Sequence, residues 1–228
     1  MTKRAFIVFA LALLLCIPAA NAGASLLGYY YNLAESHPDM QAAITGWDPG
    51  MVESALAGPA PALTAYGSTR INQFDWWDSG YQVFSRYDSN ADLQSGFVHP
   101  WFPVDTGLPG DPYHFAVHWT GQFYVESNQS YTYTMGSDDD AWLFIDDELV
   151  LDLGGIHAIT YDSYAVDLTQ GHHDIDIFFA ERHTSHSAFQ LNFFSDLEPP
   201  PPVPEPSTLL LLGSGLVGLV GFRKRFKK

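Results

Sequence analysis

The chain has 228 residues, enough for one domain with a full core plus terminal appendages. Seven of its ten basic residues fall before residue 23 or after residue 206, whereas all 26 carboxylates lie between. That interval holds only Arg70, Arg86 and Arg182, and its net charge of −23 repels phosphate backbones and anionic lipid, which leaves nucleic acid out as a partner. Divalent cations and neutral sugars remain compatible with it.

Lys3-Arg4, the apolar run from Ala5 to Ile17 and the small residues Ala20-Asn21-Ala22 have the three zones of a secretory signal peptide over residues 1–22. Cys16 is the only cysteine, and Leu15 stands where a lipoprotein signal needs a small residue. After processing at Ala22 the chain has no thiol, so packing has to hold the fold without disulfides.

From Gly23 the pattern is that of short strands. Leu27, Tyr29, Tyr31 and Leu33 alternate with small or polar neighbours and predict a first strand. Asp48-Pro49 ahead of Met51 to Leu56 predicts one short helix, because an Asp cap and a Pro at the first helical position both favour a helix start. Phe74, Trp76, Trp77 and Tyr81 read as core aromatics on a strand over 71–84, the alternative being exposed rings that stack on sugars. Asp88 to Asp111 is loop-like, broken by Pro100, Pro103 and Pro109. Phe115, Val117, Trp119, Phe123 and Val125 mark a strand in which Gly121 predicts a bulge.

Tyr131, Tyr133 and Met135 alternate with polar residues up to Ser137, and Asp138-Asp139-Asp140 then interrupts the pattern. Ala141 to Ile145 is wholly apolar and suits a strand buried on both faces. The three carboxylates therefore stand at a tight corner between two core strands, where either a bound cation or full exposure to water relieves their repulsion. Asp146-Asp147-Glu148 reads as a hairpin turn, with Leu149, Leu151 and Leu153 on the return strand. The two acidic groups flank a strand spanning about 17 Å, too far apart to share one ion. Tyr164, Val166 and Leu168, then Ile175, Ile177 and Phe179, then Phe189, Leu191 and Phe193 complete the strands. So many short strands predict an all-β sandwich or barrel. His114 and His118 are spaced for chelation on a helix, but on a strand they lie about 13 Å apart. Catalytic motifs are lacking: there is no Gly-x-Ser-x-Gly, and acidic pairs alone do not make a glycosidase.

Residues 198–206 form a Pro-rich linker, Ser207 to Phe222 an apolar span of about 24 Å as a helix, and Arg223 to Lys228 a basic tail. The positive-inside rule puts that tail in the cytoplasm and the domain across the membrane.

Trp119-Thr120-Gly121, Ser137-Asp138-Asp139, Ile145-Asp146, Asp152 to His157 and Phe178 to Thr184 together resemble the fibro-slime domain, a branch of the protective-antigen (PA-14) family. The resemblance implies an antiparallel β-sandwich or barrel of PA-14 type over residues 23–197. It also implies, as in several branches of that superfamily, glycan binding. In its calcium-dependent adhesin lectins an adjacent Asp pair joined by a cis peptide binds the ion, and a second loop adds an Asn and backbone oxygens. The resemblance thus points to Asp138 and Asp139 as ligands for calcium. The matching loop here, Arg182 to Ser187, has no Asn, and Asn192 lies beyond it in a strand. Asp140, His157, Glu181, Arg182, His183 and His186 are the further candidate binding residues, with His157 expected near Glu181, Arg182 and His183 in a polar network. A solvated acidic turn is the alternative to the calcium site. Val203, Pro204, Glu205 and Pro206, with the span and basic tail, resemble the PEP-CTERM sorting signal, which implies processing by an exosortase in a bacterium that makes extracellular polysaccharide. The alternative is a plain C-terminal anchor.

Taken together, the sequence reads as an exported, surface-sorted, non-enzymatic protein whose partner is a glycan or extracellular-matrix polysaccharide. A structural matrix or adhesion protein with no specific sugar, and a hydrolase of exopolysaccharide, are the competing readings.

Overall fold

A computed structural model describes residues 25–89, 93–94, 97–98 and 113–192. The expected signal peptide, the Pro-rich linker with its sorting motif, the C-terminal apolar helix and most of the Asp88 to Asp111 loop lie outside the described residues.

Among the described residues ten strands are formed: β1 Ser25–Asn32, β2 Gln82–Ser89, β3 Phe97–Val98, β4 Phe115–Val125, β5 Gln129–Asp138, β6 Asp140–Ile145, β7 Glu148–Leu153, β8 Thr160–Leu168, β9 Gly171–Glu181 and β10 Ala188–Asn192. They pair antiparallel in a six-stranded sheet, order β2-β1-β4-β9-β6-β7, and a four-stranded sheet, order β3-β10-β5-β8. The fold is all-β, an antiparallel sandwich.

Strand periodicity explains why two apolar clusters arise from one sheet. Phe115, Val117 and Trp119 of β4, Ile175, Ile177 and Phe179 of β9, and Ala141, Leu143 and Ile145 of β6 face the four-stranded sheet and meet Tyr133, Met135, Phe189 and Leu191. Ala116, Trp142, Phe144, Phe178 and Ala180 point the other way, into a second cluster built with Leu33, Met40, Met51, Trp76 and Trp77. Strand β6 is consequently buried at every position, as its unbroken apolar run predicts. Strand β1 is divided too: Leu26 and Tyr30 enter the first cluster, Tyr31 and, just past the strand's end, Leu33 the second.

Four local expectations are corrected. Residues 48–56 form no helix: Val52 bridges Leu63, Ala55 bridges Glu148, and the Leu149 N–H donates to the Ser54 carbonyl at 3.0 Å. Pairing with the edge strand β7 and burial of Met51, Val52 and Leu56 override the capping signal. A short 3-10 turn, Gly67–Thr69, forms further along instead. Gly121 makes no bulge, since β4 and β9 pair in continuous register from Phe115 to Val125. The register shifts fall between Tyr30 and Tyr31 and between Leu143 and Phe144; the second puts Leu149 against the second cluster while Leu151 and Leu153 stay in the first. Finally, Trp76 and Trp77 are core as expected, but they sit in turns ahead of β2 rather than on a strand.

Asp88, placed by sequence at the start of a loop, lies within β2, opposite Leu26, and is buried. Its carboxylate accepts from the Tyr30 hydroxyl, from Trp119 Nε1 at 2.7 Å and from Arg86 Nε at 2.7 Å. A side chain at Gly28 would collide with both Asp88 and Trp119, so this strand position requires glycine.

Candidate functional site: an acidic corner between the sheets

Strand β5 belongs to the four-stranded sheet and β6 to the six-stranded one, so the chain changes sheets at Asp138-Asp139-Asp140. The Asp138–Asp139 peptide is cis. All three carboxylates are buried, Asp138 at 8%, Asp139 at 1% and Asp140 at 0% exposure, which rules out a solvated acidic turn.

The three are not equivalent. Asp140 takes Arg182 Nε at 2.7 Å, Arg182 Nη2 at 3.1 Å and the Gly155 N–H at 2.6 Å. Arg182 itself is buried, with its guanidinium carbon 4.8 Å from the Trp76 ring centroid. Asp140 and Arg182 thus complete each other inside the fold. Asp139 is anchored by neutral donors, the backbone N–H groups of His157 at 2.9 Å and Arg182 at 3.0 Å.

Glu181, at the end of β9 and directly opposite Phe115 of β4, is wholly buried and joins them. Oxygens of Asp138, Asp139 and Glu181 lie within 4.8 Å of one another. Glu181 Oε1 accepts the His183 N–H at 3.0 Å, whereas Oε2 has no hydrogen-bond partner among the described residues; nor do the buried hydroxyls of Ser137 and Ser187. Buried polar atoms are normally satisfied, so the unpartnered Glu181 oxygen beside the carboxylates of Asp138 and Asp139 marks a place for an oxygen-seeking group. The acidities agree. Burial, followed by the neighbouring Asp139, pushes Glu181 up to about 12. Burial and Asp139 push Asp138 up to about 7, and burial and Asp140 push Asp139 up to about 6. Three buried carboxyls this close cannot all ionise unaided.

The pocket above them holds about 130 Å³ and is lined by Asp138, Asp139, His157, His183 and His186 together with Ile44, Ile156, Ala158 and Ser185. Of the sequence-predicted binding residues, His157, His183 and His186 therefore border the opening, while Asp140, Glu181 and Arg182 lie beneath it. Both ring nitrogens of His157 rest 3.0 Å from backbone carbonyls, those of Leu153 and Ala158. His118 lies elsewhere, its Nε2 2.6 Å from Asp176. At the other end of β6, Asp146 binds His173 Nδ1 at 2.6 Å and the Asp174 N–H at 2.9 Å.

Sequence reasoning missed the contribution of residues 34–81. Thr45 and Gly46 both donate backbone N–H groups to the Ile156 carbonyl, and Asp48 N–H donates to the Gly154 carbonyl at 2.7 Å. Gly155, at φ +117, sits against this segment so closely that a Cβ would strike the Gly46 carbonyl. Asp39 organises the same insertion: its carboxylate accepts from the N–H groups of Asn72, Gln73 and Phe74 and from Trp76 Nε1. Burial pushes Asp39 up, but these hydrogen bonds outweigh it and hold the carboxyl below its ordinary value. No local pattern could expose these contacts, because the partners are more than 30 residues apart.

Do these residues fit calcium? The donors are hard carboxylate oxygens, at least one of them without a partner, which is what a hard divalent cation requires. Asp138, Asp139 and Glu181 would hold it, with Glu181 on β9 adding an oxygen from beside the loop that lacks an Asn.

Residues 65–202 match the PA14 domain family, and residues 202–225 match the PEP-CTERM protein-sorting motif. Among curated proteins, the chain is 33% identical over 184 residues to protein psiG of Dictyostelium discoideum, covering 62% of this chain and 26% of that protein. It is 34% identical over 127 residues to psiD of the same organism, covering 48% and 24%. The chain spans about a quarter or less of the length of these relatives. Among solved structures, the PA14 sugar-binding domain from an RTX adhesin is similar at TM-score 0.41 and 16% identity, covering 75% of this chain and 90% of that one. The epithelial adhesin 9 A domain of Candida glabrata, solved in complex with Galβ1-4GlcNAc, is similar at TM-score 0.41 and 15% identity, covering 75% and 82%.

Proposed function

This chain belongs to the PA14 domain family, and from that premise we propose that its acidic corner is a calcium-assisted binding site for a neutral glycan of the extracellular matrix. The observation that carries the reading is the trio Asp138, Asp139 and Glu181, buried together with an unpartnered oxygen under a pocket that opens to solvent. A divalent cation there would relieve the repulsion and offer its outward coordination positions to sugar hydroxyls. The domain charge of −23 favours a neutral sugar over an acidic one.

Binding rather than hydrolysis is supported by the burial of Glu181. A carboxyl at 0% exposure cannot reach a glycosidic oxygen to protonate it. The PEP-CTERM motif at 202–225 supports export and exosortase processing, which would deliver the domain to the cell surface or the matrix.

A glycan array run with millimolar calcium and again with chelator tests the reading. Sugar binding is expected with calcium, at an ion affinity on the order of 10⁻⁴ to 10⁻³ M as in extracellular modules. It should vanish with chelator and in the double variant Asp138→Asn, Asp139→Asn. Sugar binding that ignores both would overturn the calcium role, absence of any sugar binding would leave a structural adhesion protein, and release of reducing ends would reveal a hydrolase.

A further inference from the structure

Resting on the sugar-binding reading of the acidic corner, we infer that the pocket selects a neutral sugar unit bearing a methyl group, which it seats against Ile44 and Ile156. The lining is of two kinds and comes from separate segments of the chain. Ile44, Ile156 and Ala158 are apolar, whereas His183, Ser185 and His186, from the loop between β9 and β10, are polar. Asp138 and Asp139 complete it. An apolar lining with a few convergent polar groups is the usual form of a small-molecule site, the polar groups fixing orientation and the apolar ones taking up hydrocarbon.

The apolar lining is built across two distant segments. The Ile156 carbonyl accepts the N–H groups of Thr45 at 3.1 Å and Gly46 at 3.0 Å, and the Ile156 N–H donates to Thr45 Oγ1 at 2.9 Å. Ile44, the residue before Thr45, is thereby fixed beside Ile156. Their exposures differ, 68% against 1%, so Ile156 closes the inner part of the lining and Ile44 stands at its rim. An exposed isoleucine by itself is ordinary, but this one lines a pocket next to a second isoleucine and is held there by three hydrogen bonds of its neighbours. Such a surface needs little further ordering when it meets a ligand, which favours affinity.

The same surface begins beside the carboxylates that would hold the ion. The His157 N–H donates to Asp139 at 2.9 Å, and Ile156 and Ala158 stand one residue to either side, about 3.8 Å along the chain. A sugar that offers hydroxyls to the ion brings the substituent on a neighbouring carbon up to these apolar side chains. A hydroxymethyl group turned there loses water and finds no partner, whereas a methyl group gains burial at no such cost. Two kinds of neutral unit carry that methyl: a 6-deoxyhexose on its ring carbon C5, and an N-acetylhexosamine at the end of its acetamido group. The recognised chemistry is the same in both, and His183, Ser185 and His186 remain for the other hydroxyls or the amide.

The test is calorimetric titration of the full-length protein, in millimolar calcium, with sugars matched except at the methyl: the methyl glycosides of L-fucose and L-galactose, those of L-rhamnose and L-mannose, and N-acetylglucosamine against N-formylglucosamine. In at least one pair the methyl-bearing member should bind about tenfold more tightly, the scale on which a hydrophobic pocket discriminates one small group, and that pair identifies the source of the methyl. Ile44→Ser should remove most of the preference by weakening the methyl-bearing member far more than its match, Ile44→Val should keep it, and the calcium-induced rise in Tm should persist in both variants. Sugar binding with no preference in any pair would overturn the methyl subsite alone. So would a preference undiminished in Ile44→Ser, or an equal loss on both members of the pair. No binding of any of these sugars by wild type would overturn the sugar reading along with it.

Discussion

Arg182 grips Asp140 through Nε at 2.7 Å and Nη2 at 3.1 Å, and both side chains are almost fully buried. This pairing divides the acidic corner into a neutralised half and an uncompensated half. It also fastens the corner to residues 34–81, since Arg182 lies over Trp76 and its carbonyl accepts the Gln41 N–H at 2.8 Å. Removing one member of a buried pair leaves the other charged and unpartnered, which typically costs about 3 to 5 kcal/mol. Arg182→Met is expected to destabilise the protein by that amount in urea unfolding. Adding Asp140→Asn should recover part of the loss, and a cost below about 1 kcal/mol for the single variant would show that the pair is not buried in solution.

The uncompensated half predicts an inverted pH profile for the calcium-free protein. Asp138 and Asp139 are raised to about 7 and about 6, above their ordinary value of 3.8, so the folded state holds protons that the unfolded state releases. Their contribution to stability is complete below about pH 4 and is lost as pH rises through 6 and 7. Thermal unfolding in chelator should therefore give a lower Tm at pH 7.5 than at pH 5.5. Calcium should reduce that difference, and Asp138→Asn with Asp139→Asn should reduce it without calcium, the remainder coming from Glu181, which burial pushes up to about 12, and from His173.

At the far end of β6, His173 supplies a second, independent titration. Burial pushes its imidazole down, but the Thr169 carbonyl and the Asp146 carboxylate outweigh burial and raise it above 6.5. The protonated ring is the form that both partners favour, so this contribution is present below pH 6.5 and is lost as pH rises past the raised value. Ring-proton NMR should place the wild-type midpoint above 6.5 and the Asp146→Asn midpoint lower. Asp146→Asn should leave the calcium response of Tm intact, because it lies across the strand from Asp139.

Trp119 tests the core between the sheets. Its ring is fully buried against Phe179 and Phe189, with centroids 6.4 and 4.8 Å away, and its Nε1–H meets Asp88. Trp119→Ala should cost about 3 to 5 kcal/mol in urea unfolding. Trp119→Phe should keep most of the packing but leave Asp88 short of one donor, at a smaller cost of about 1 to 3 kcal/mol.

The motif at 202–225 predicts processing. Intact-mass measurement on the extracellular form from the native host should find residues 209–228 missing. Their retention would favour a plain anchor.

Much of the fold was legible along the chain because each strand carries its own periodicity. The unbroken apolar run at β6, the Asp146-Asp147 turn with both residues at positive φ, and the β9 face of Ile175, Ile177 and Phe179 all depend on neighbours one to four residues away. The acidic corner was visible for the same reason: three consecutive carboxylates stand out in any reading. Sequence alone could not divide them. That Asp140 is neutralised by Arg182, and that Glu181 joins Asp138 and Asp139, follows from β9 lying beside β6 in one sheet. The helix expected at Asp48-Pro49 failed on the same ground, since a cap worth about 1 kcal/mol yields to burial of Met51, Val52 and Leu56 and to pairing with Glu148. The chain by itself determined where its strands are and which of their faces are apolar; only tertiary contact decided which charges meet, because Asp140 and Arg182, 42 residues apart, leave no periodic trace.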